Sequence, residues 1–164
     1  MQKIVAPLLI AMIVVFTTHA QDVVIKAIDL KIDEVPGFVP FYKDKGRAAL
    51  AVNSIQYPDQ WAAVQTAFEG PTGVYDLTLA TLTEFDGEPS YKIRVQGRLV
   101  ADYQHLYTGV DFQEDRATWK GVALEQGDIL RVEANNASNG LVPEGDGFAY
   151  ARGRWVQLEF RRTE

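Results

Sequence analysis

The chain has 164 residues, of which 47% are hydrophobic, and it carries a formal net charge of −6 with no cysteine. These values suit one globular domain, and the lack of cysteine excludes disulfide bonds and thiol catalysis. The acidic balance also argues against nucleic acid as a partner, because phosphates require a basic surface.

The first twenty residues differ in kind from the rest of the chain. Lys3 precedes an almost purely apolar run from Ile4 to Phe16, and small residues end the stretch at Ala20. This pattern predicts a secretory signal peptide over residues 1–20, since the run is shorter than the ~20 residues that span a bilayer. Cleavage leaves residues 21–164 as one domain with 15 basic and 22 acidic side chains, a net charge of −7. We therefore expect a secreted or periplasmic protein with no part inserted in a membrane.

Alternation of apolar and polar residues predicts strands in the first half of this domain. An opening strand is expected within Val24–Asp33, a second at Ala48–Asn53 and a third at Trp61–Phe68. Two prolines and a glycine exclude regular structure from Val35–Pro40.

The clearest strand pattern lies in Phe68–Val95. Apolar residues alternate with polar ones from Tyr75 to Ala80 and again from Tyr91 to Gln96. Asp86-Gly87 lies between the two runs and is typical of a tight turn. We therefore predict that these two strands pair as an antiparallel hairpin.

The second half of the chain continues in the same manner. Further strands are predicted at Leu99–Tyr103, Trp119–Leu124, Ile129–Ala134 and Trp155–Phe160. Ala62–Val64 is the one place where a helix could be hidden. Several short strands at close spacing predict an all-β fold, an antiparallel β-sandwich or jelly roll with little or no helix.

The connections between these strands fall into two groups. Because antiparallel strands reverse direction, successive connections alternate between the two ends of the sandwich. One end receives the short turns Gly70–Gly73, Gln96–Arg98 and Glu125–Asp128. The other end receives the long connections Ser54–Gln60, Glu84–Pro89, Gln104–Ala117 and Asn135–Gly153. Long loops gathered on a rigid scaffold are where binding surfaces are built.

The long loops are rich in aromatic, amide and guanidinium side chains. Aromatic faces stack on the apolar faces of sugar rings, and Asn and Arg donate hydrogen bonds to hydroxyl groups. Arg also binds carboxylate or sulfate through two parallel hydrogen bonds. This composition favours a saccharide ligand.

The run from Ala48 to Phe160 resembles the β-sandwich carbohydrate-binding modules of families 6 and 35. The matching segments are Gly73–Leu77, Tyr91–Gly97, Trp119–Leu124, Gln126–Asp128 and Trp155–Phe160. The resemblance implies a jelly roll whose partner is a polysaccharide, bound without catalysis in a cleft among the loops.

The resemblance also implies roles for particular residues. In such modules one aromatic comes from an early loop, a second precedes the penultimate strand, and an Asn precedes the closing strand. Tyr57 or Trp61 matches the first position and Trp119 the second, whereas Tyr150–Arg154 stands where the Asn is expected. That departure favours a uronic acid or a sulfated sugar.

We therefore predict two stacking platforms and three polar selectors. The platforms are Tyr57 and Trp119, and the selectors are Asn53, Glu84 and Arg152. No catalytic residue and no metal ligand is assigned.

Two further possibilities stay open at this point. Such modules often hold a structural calcium ion through acidic residues near the N-terminus, where this chain offers Asp22, Asp29, Asp33 and Glu34. Separately, Glu84, Asp86 and Glu88 in one loop could form an oxygen-rich metal site. The alternative functions are a small polysaccharide lyase or hydrolase, in which His105 beside Tyr103 and Tyr107 would abstract a proton from a uronate, and a cell-surface adhesion module.

Overall fold

The computed structural model describes residues 22–163, in which strands form two facing antiparallel sheets. In chain order the strands are β1 (Val23–Lys26), β2 (Phe41–Asp44), β3 (Ala49–Val52), β4 (Trp61–Ala67), β5 (Gly73–Leu82), β6 (Ser90–Val95), β7 (Arg98–Gln104), β8 (Glu114–Leu124), β9 (Ile129–Asn135), β10 (Pro143–Glu144), β11 (Gly147–Phe148) and β12 (Trp155–Arg162). The predicted signal peptide lies outside the described residues.

Helical structure in residues 22–163 is confined to two turns of 3₁₀ helix, Ala27–Asp29 and Lys45–Arg47. Neither is long or apolar enough to cross a membrane. Ala62–Val64, where a helix was possible, is part of strand β4. The prediction of little or no helix is thus confirmed for the described residues.

The larger sheet has six strands and the smaller sheet has four. In the larger sheet the order is β2-β3-β12-β5-β8. β1 and β3 both pair with the same side of β12, at different positions along it. In the smaller sheet the order is β4-β9-β6-β7. Strands β10 and β11 form a separate two-stranded hairpin within the last long loop. The predicted antiparallel β-sandwich is therefore confirmed.

The core lies between the two sheets and follows the alternation read from the sequence. Tyr75, Leu77 and Leu79 of β5 are all at most 1% exposed, and so are Tyr91 and Ile93 of β6. Full burial of each such side chain stabilises the fold by roughly 1.5–3 kcal/mol. Alternation thus identified the buried face of both strands correctly.

The predicted hairpin between β5 and β6 is wrong, because the two strands belong to different sheets. β5 pairs with β12 and β8, whereas β6 pairs with β7 and β9. The loop between them, residues 83–89, passes from one sheet to the other at one end of the sandwich. Alternation specifies which face of a strand is buried but not which strand lies next to it.

Several element boundaries also differ from the predictions. The opening strand ends at Lys26, where the chain enters a 3₁₀ turn, and strand β2 was not predicted at all. β8 begins at Glu114, five residues before the predicted start, because Glu114 to Thr118 pairs with β5. That segment reads Glu-Asp-Arg-Ala-Thr and contains no large apolar residue, so hydrophobic periodicity does not reveal it.

The four long connections do meet at one end of the sandwich, which we call the loop end: residues 53–60, 83–89, 105–113 and 136–154. Backbone hydrogen bonds join them, from Phe112 to Thr83 (2.7 Å) and from Asn139 to Asp86 (3.1 Å). The opposite end, which we call the turn end, holds residues 68–72, 96–97 and 125–128. The predicted assignment of each connection to one end of the sandwich is confirmed, although the predicted pairing of β5 with β6 is wrong.

Candidate functional site

Residues Ala151–Arg154, which we call the strap, lead the last long loop into β12 and lie at the centre of the loop end. The N–H of Val52 donates to the carbonyl oxygen of Arg152 (2.7 Å), and the N–H of Leu82 donates to that of Arg154 (3.0 Å). Within the strap, Gly153 has φ +56°, and a Cβ atom there would lie 2.3 Å from the carbonyl oxygen of Asn135. The position therefore requires glycine, both for its backbone conformation and for lack of space.

The side chain of Arg154, at the end of the strap, belongs to a buried cluster of charged groups. The guanidinium of Arg154 is 5% exposed and donates to Asp44 Oδ2 (2.8 Å) and to Glu84 Oε2. The aromatic ring of Phe112 lies 5.2 Å from this guanidinium and 3.7 Å from that of Arg47. Arg154 holds the pKa of Asp44 below its usual value, so this partner stays ionised.

Glu84 is also buried, at 5% exposure, and both of its oxygens accept hydrogen bonds. Oε1 accepts from the backbone N–H of Arg152 (2.9 Å), and Oε2 accepts from Arg154. Burial raises the pKa of Glu84 to about 7, because desolvation outweighs the attraction of Arg154. Asp86, which faces it, raises that pKa further.

Arg152 presents a different arrangement. Its side chain is half-buried and donates from Nη1 to the hydroxyl of Tyr42 (3.2 Å). Among residues 22–163 no carboxylate lies within ion-pair distance of this guanidinium, in contrast to Arg154. Arg152 is thus a partly shielded cation whose charge is not neutralised by a direct partner.

Asn53 and Tyr57 belong to the loop that adjoins the strap. Asn53 Oδ1 accepts from the N–H of Gln56 (3.2 Å), and the Asn53 carbonyl accepts from the N–H of Tyr57 (2.9 Å). Buried Asn136 ties this loop to the last one by donating from Nδ2 to the carbonyl of Tyr57 (2.6 Å). Four of the five predicted site residues, Asn53, Tyr57, Glu84 and Arg152, therefore lie on connected segments at the loop end, with the side chain of Glu84 buried.

Trp119 is the fifth predicted site residue, and the structure does not bring it to the loop end. It pairs with Leu77 in the middle of β8 and packs against the core with its side chain half-buried. At about 3.4 Å per residue it lies roughly 17 Å along the strand from Glu114, where β8 leaves the loop end. The position of Trp119 was misjudged because the start of β8 was predicted five residues too late.

Exposed apolar side chains cluster at the loop end, and none of them is among the predicted site residues. Of eleven large hydrophobic side chains that are exposed among residues 22–163, eight lie on its four loops. They are Ile55, Phe85, Leu106, Tyr107, Val110, Phe112, Leu141 and Phe148. Such clustering is typical of binding surfaces, whereas single exposed apolar residues are common everywhere. Phe85 and Tyr107 could have been found from the sequence, because both lie in long loops between predicted strands.

A groove with a volume of about 790 Å³ lies at the turn end. Its lining includes Thr72, Gln96, Arg98, Glu125 and Asp128 and contains no aromatic residue. Asp128 is engaged internally, accepting from Gln96 Nε2 (3.0 Å) and from the N–H of Glu125 (2.9 Å). This groove therefore lacks the stacking surface expected of a sugar site.

His105, the candidate base of the alternative lyase, is 3% exposed. Its Nε2 lies 2.7 Å from Thr81 Oγ1 and 3.7 Å from Asp115 Oδ2, and its Nδ1 is buried without a partner. The rings of Tyr91 and Tyr103 pack on it at 5.1 and 5.7 Å. Burial lowers the pKa of His105 and outweighs the attraction of Asp115.

The carboxylates suggested as calcium ligands are not gathered into one cluster among residues 22–163. Among residues 22–163 no three His, Asp or Glu side chains are placed to hold one ion. In the second group, Glu84 is occupied by arginine and Glu88 Oε1 accepts from Asn139 (3.3 Å). Asp86 has one buried oxygen without a hydrogen bond, and burial raises its pKa.

Comparison with known sequences identifies a relative of this chain. No family model matches the chain. An uncharacterized protein, P23 from Formosa agariphila, is 33% identical over 123 residues, which is 73% of this chain and 27% of that protein. The chain thus spans about a quarter of the length of this curated relative.

Solved structures identify the architecture. The CBM36-1 domain of a multidomain xylanase from the hindgut metagenome of Trinervitermes trinervoides has a TM-score of 0.52 at 12% identity, over 88% of this chain and 99% of that one. A family 35 carbohydrate-binding module from Clostridium thermocellum has a TM-score of 0.51 at 16% identity, over 88% and 100%. A Podospora anserina GH26-CBM35 beta-(1,4)-mannanase has a TM-score of 0.51 at 13% identity, over 89% of this chain and 28% of that one. At these identities the likeness concerns the fold: the chain has the β-sandwich fold of carbohydrate-binding modules of families 35 and 36.

Proposed function

We propose that this chain is a secreted or periplasmic module that binds polysaccharide without catalysis, through the loop end, and that it prefers acidic or sulfated glycans. The observation that carries the proposal is Arg152, which lies on the strap at the loop end and forms no ion pair with a carboxylate among residues 22–163. The fold supports it, since several proteins that share this fold are carbohydrate-binding modules.

The preference for acidic glycans is argued from charge. A guanidinium that lies half-buried is partly shielded from water, so an ionic hydrogen bond to it is stronger than one at an open surface. A carboxylate or sulfate on the sugar would supply the partner that Arg152 lacks. Asn53, on the adjoining loop, offers an amide for the sugar hydroxyls.

The stacking surface would come from the exposed aromatic side chains of the loops. Tyr107 is 64% exposed and Phe148 is 50% exposed, while Tyr57 is half-buried beside the strap. We therefore assign stacking to Tyr57 and Tyr107. Trp119 is left out because it packs against the core far along β8.

A non-catalytic role is favoured over the lyase by the burial of the candidate base. His105 is enclosed by Tyr91 and Tyr103, and the hydroxyl of Tyr103 donates to Asp115. A general base must come within hydrogen-bond reach of the proton it removes.

Calorimetry with neutral, uronic and sulfated oligosaccharides tests the proposal. We expect weak binding to at least one acidic glycan and about a tenfold loss of affinity in Arg152→Ala, as for one charge-assisted contact. Tyr107→Ala should weaken the same ligand, whereas Arg98→Ala at the turn end is the charge-matched control and should bind as the wild type does. If a folded protein binds none of these glycans, the proposal is rejected.

The remaining parts of the proposal need separate measurements. Release of unsaturated uronate or of new reducing ends on the same glycans would indicate an enzyme instead. Mass spectrometry of the exported protein should give a chain that starts after Ala20. A melting temperature that falls when a chelator is added would reveal a structural calcium ion, and an unchanged one would exclude it.

A second candidate function, adhesion to another protein, is favoured by the aliphatic side chains of the loop end. Ile55, Leu106 and Leu141 are 80%, 84% and 63% exposed. Aliphatic residues do not stack on sugars as aromatic rings do, and they are common at protein interfaces. Under this alternative, Leu106→Ser would abolish partner capture without changing glycan affinity.

A further inference from the structure

Glu84 is close to Arg152 in space but is not available to a ligand. Its carboxylate is 5% exposed, and each oxygen already accepts a hydrogen bond from the protein. A ligand hydroxyl could reach it only by breaking one of those bonds. Removing a buried carboxylate from its partners costs several kcal/mol, far more than one sugar contact returns. Direct recognition by Glu84 is therefore unfavourable.

The two bonds of Glu84 both act on the strap. Oε1 holds the N–H of Arg152 at 2.9 Å, and the carbonyl of the same residue accepts from Val52 at 2.7 Å. The peptide groups on both sides of the Arg152 Cα atom are thus fixed by neighbouring segments. A side chain whose backbone is fixed loses less conformational entropy when it binds a ligand.

The bond from Arg154 to Glu84 keeps both groups from interacting with Arg152 or its ligand. Arg154 carries a charge two residues from Arg152, and its guanidinium is taken up by Glu84 and by Asp44 at 2.8 Å. Tyr91 secures the strap at the same point, because its hydroxyl donates to the carbonyl of Arg154 (3.2 Å). With Asp44 and Glu84 occupied by Arg154, neither carboxylate is drawn toward Arg152. The guanidinium of Arg152 donates to the neutral hydroxyl of Tyr42. The nearby carboxylate of Asp86 feels its charge without forming an ion pair with it.

We propose that Glu84 is a positioning residue for anion recognition: it fixes the backbone of Arg152 and occupies Arg154, so that the guanidinium of Arg152 stays free for the acidic group of the glycan. This assignment rests on the proposed function of the loop end. Glu84, expected from the sequence to contact the ligand, thus instead positions the residue that does.

The amide of Arg152 gives a direct readout that needs no ligand. Its N–H donates to the Glu84 carboxylate, so its proton chemical shift should follow the protonation of that group. The groups that face Glu84 are Arg154, Asp86 and Tyr91, and its pKa is about 7. In heteronuclear spectra recorded from pH 4 to 9 we expect the Arg152 amide to titrate near neutral pH, and this titration should vanish in Glu84→Gln. An amide shift that stays constant in the wild type would overturn the proposal.

Binding measurements complete the test. Glu84→Gln should bind the acidic glycan about tenfold more weakly while its affinity for a neutral oligosaccharide changes less than about twofold, because only the guanidinium is misplaced. Glu125→Gln, at the turn end, makes the same change in net charge and should match the wild type. A purely structural role would instead weaken both ligands together and leave the selectivity unchanged.

These outcomes distinguish failure of the positioning role of Glu84 from failure of the proposed glycan-binding function. If the wild type binds acidic glycans and Glu84→Gln binds them equally well, the positioning role is rejected and the proposed function stands. If the wild type binds no glycan, both are rejected, even where the amide titration reveals the contact. Should Glu84→Gln fail to fold, the wild-type amide titration and the dependence of acidic-glycan affinity on pH across the same midpoint decide the matter, and a flat profile would overturn the proposal.

Discussion

At the scale of single residues, this sandwich buries several ionisable side chains. Glu84, Glu133, Arg154 and His105 are each at most 5% exposed. Most of them have charged partners, as when Glu133 Oε1 accepts from the Nε atoms of Arg94 (2.9 Å) and Arg131 (2.7 Å). A buried charge is tolerated only with such partners. His105 differs in that one of its buried ring nitrogens has no hydrogen bond.

The environment of His105 predicts a loss of stability in mild acid. Burial holds its pKa below the usual 6.5, so the unfolded chain binds the proton more tightly than the folded one. The contribution of His105 to stability is therefore complete above about pH 6.5 and is lost as the pH falls through its folded-state pKa. In urea unfolding at pH 5 to 8, the advantage of the wild type over His105→Gln should be about 1 kcal/mol at pH 8 and should shrink toward pH 5.

Glu84 titrates in the same range but is present in both proteins, so its effect cancels in that difference. Its raised pKa acts in the opposite direction, since it makes the folded state bind the proton more tightly between about pH 4.5 and 7. A difference between wild type and His105→Gln that is constant with pH would contradict the assignment for His105.

The residues that could be predicted at this scale were those with a distinctive side chain in a predicted loop. Arg152 and Glu84 were identified in this way, and they prove to be hydrogen-bonded to each other. Tyr42 and Asp44 were missed, because they lie on β2, a four-residue strand with no clear alternation. Their importance arises from contacts 110 positions apart in the chain, which no local pattern encodes.

At the scale of elements, β8 explains both a success and an error. It is the edge strand of the larger sheet, and its inward positions change from polar to apolar along its length. Near the loop end Asp115 accepts from the hydroxyl of Tyr103, whereas further along Trp119 and Val122 pack on the core. The apolar half was predicted as a strand and the polar half as loop, which moved Trp119 to the wrong end of the element.

The position of Trp119 leads to a prediction that separates stability from binding. Trp119→Ala should lower the free energy of unfolding by about 2 kcal/mol, because a half-buried indole is lost from the edge of the core. Its affinity for the glycan should remain that of the wild type. Tyr107→Ala should show the reverse, with unchanged stability and weaker binding.

Denaturant unfolding and calorimetry on the same preparations provide this comparison. Abolished glycan binding in a stably folded Trp119→Ala protein would restore the stacking role expected from the sequence. It would also place the binding surface between the sheets, beside β8, instead of at the loop end.

At the scale of the whole molecule, the end to which each connection belongs could be predicted, but not the partner of each strand. Direction reversal depends only on counting strands, so it survived the wrong hairpin between β5 and β6. Strand pairing depends on long-range packing of two faces with similar alternation, such as Tyr75 to Leu79 and Tyr91 to Val95. The sandwich was predictable for the same reason, because it needs only many short amphipathic strands.

The asymmetry between the two ends can be tested with matched insertions. Gly-Ser-Gly-Ser placed between Gln96 and Gly97, at the turn end, should leave glycan affinity unchanged. The same four residues between Thr108 and Gly109, at the loop end, should weaken binding at least tenfold by displacing Tyr107. Both positions are surface connections, so each insertion should cost only about 1 kcal/mol of stability. Equal affinities in the two proteins would show that the 105–113 loop takes no part in binding.

The loop end has one more property of mechanical interest. Each of its four connections passes from one sheet to the other: β3 to β4, β5 to β6, β7 to β8 and β9 to β12. A polymer held there and pulled would load both sheets at once through four covalent crossings. Force would then be shared as shear across many backbone hydrogen bonds in parallel, instead of peeling a single edge strand one bond at a time.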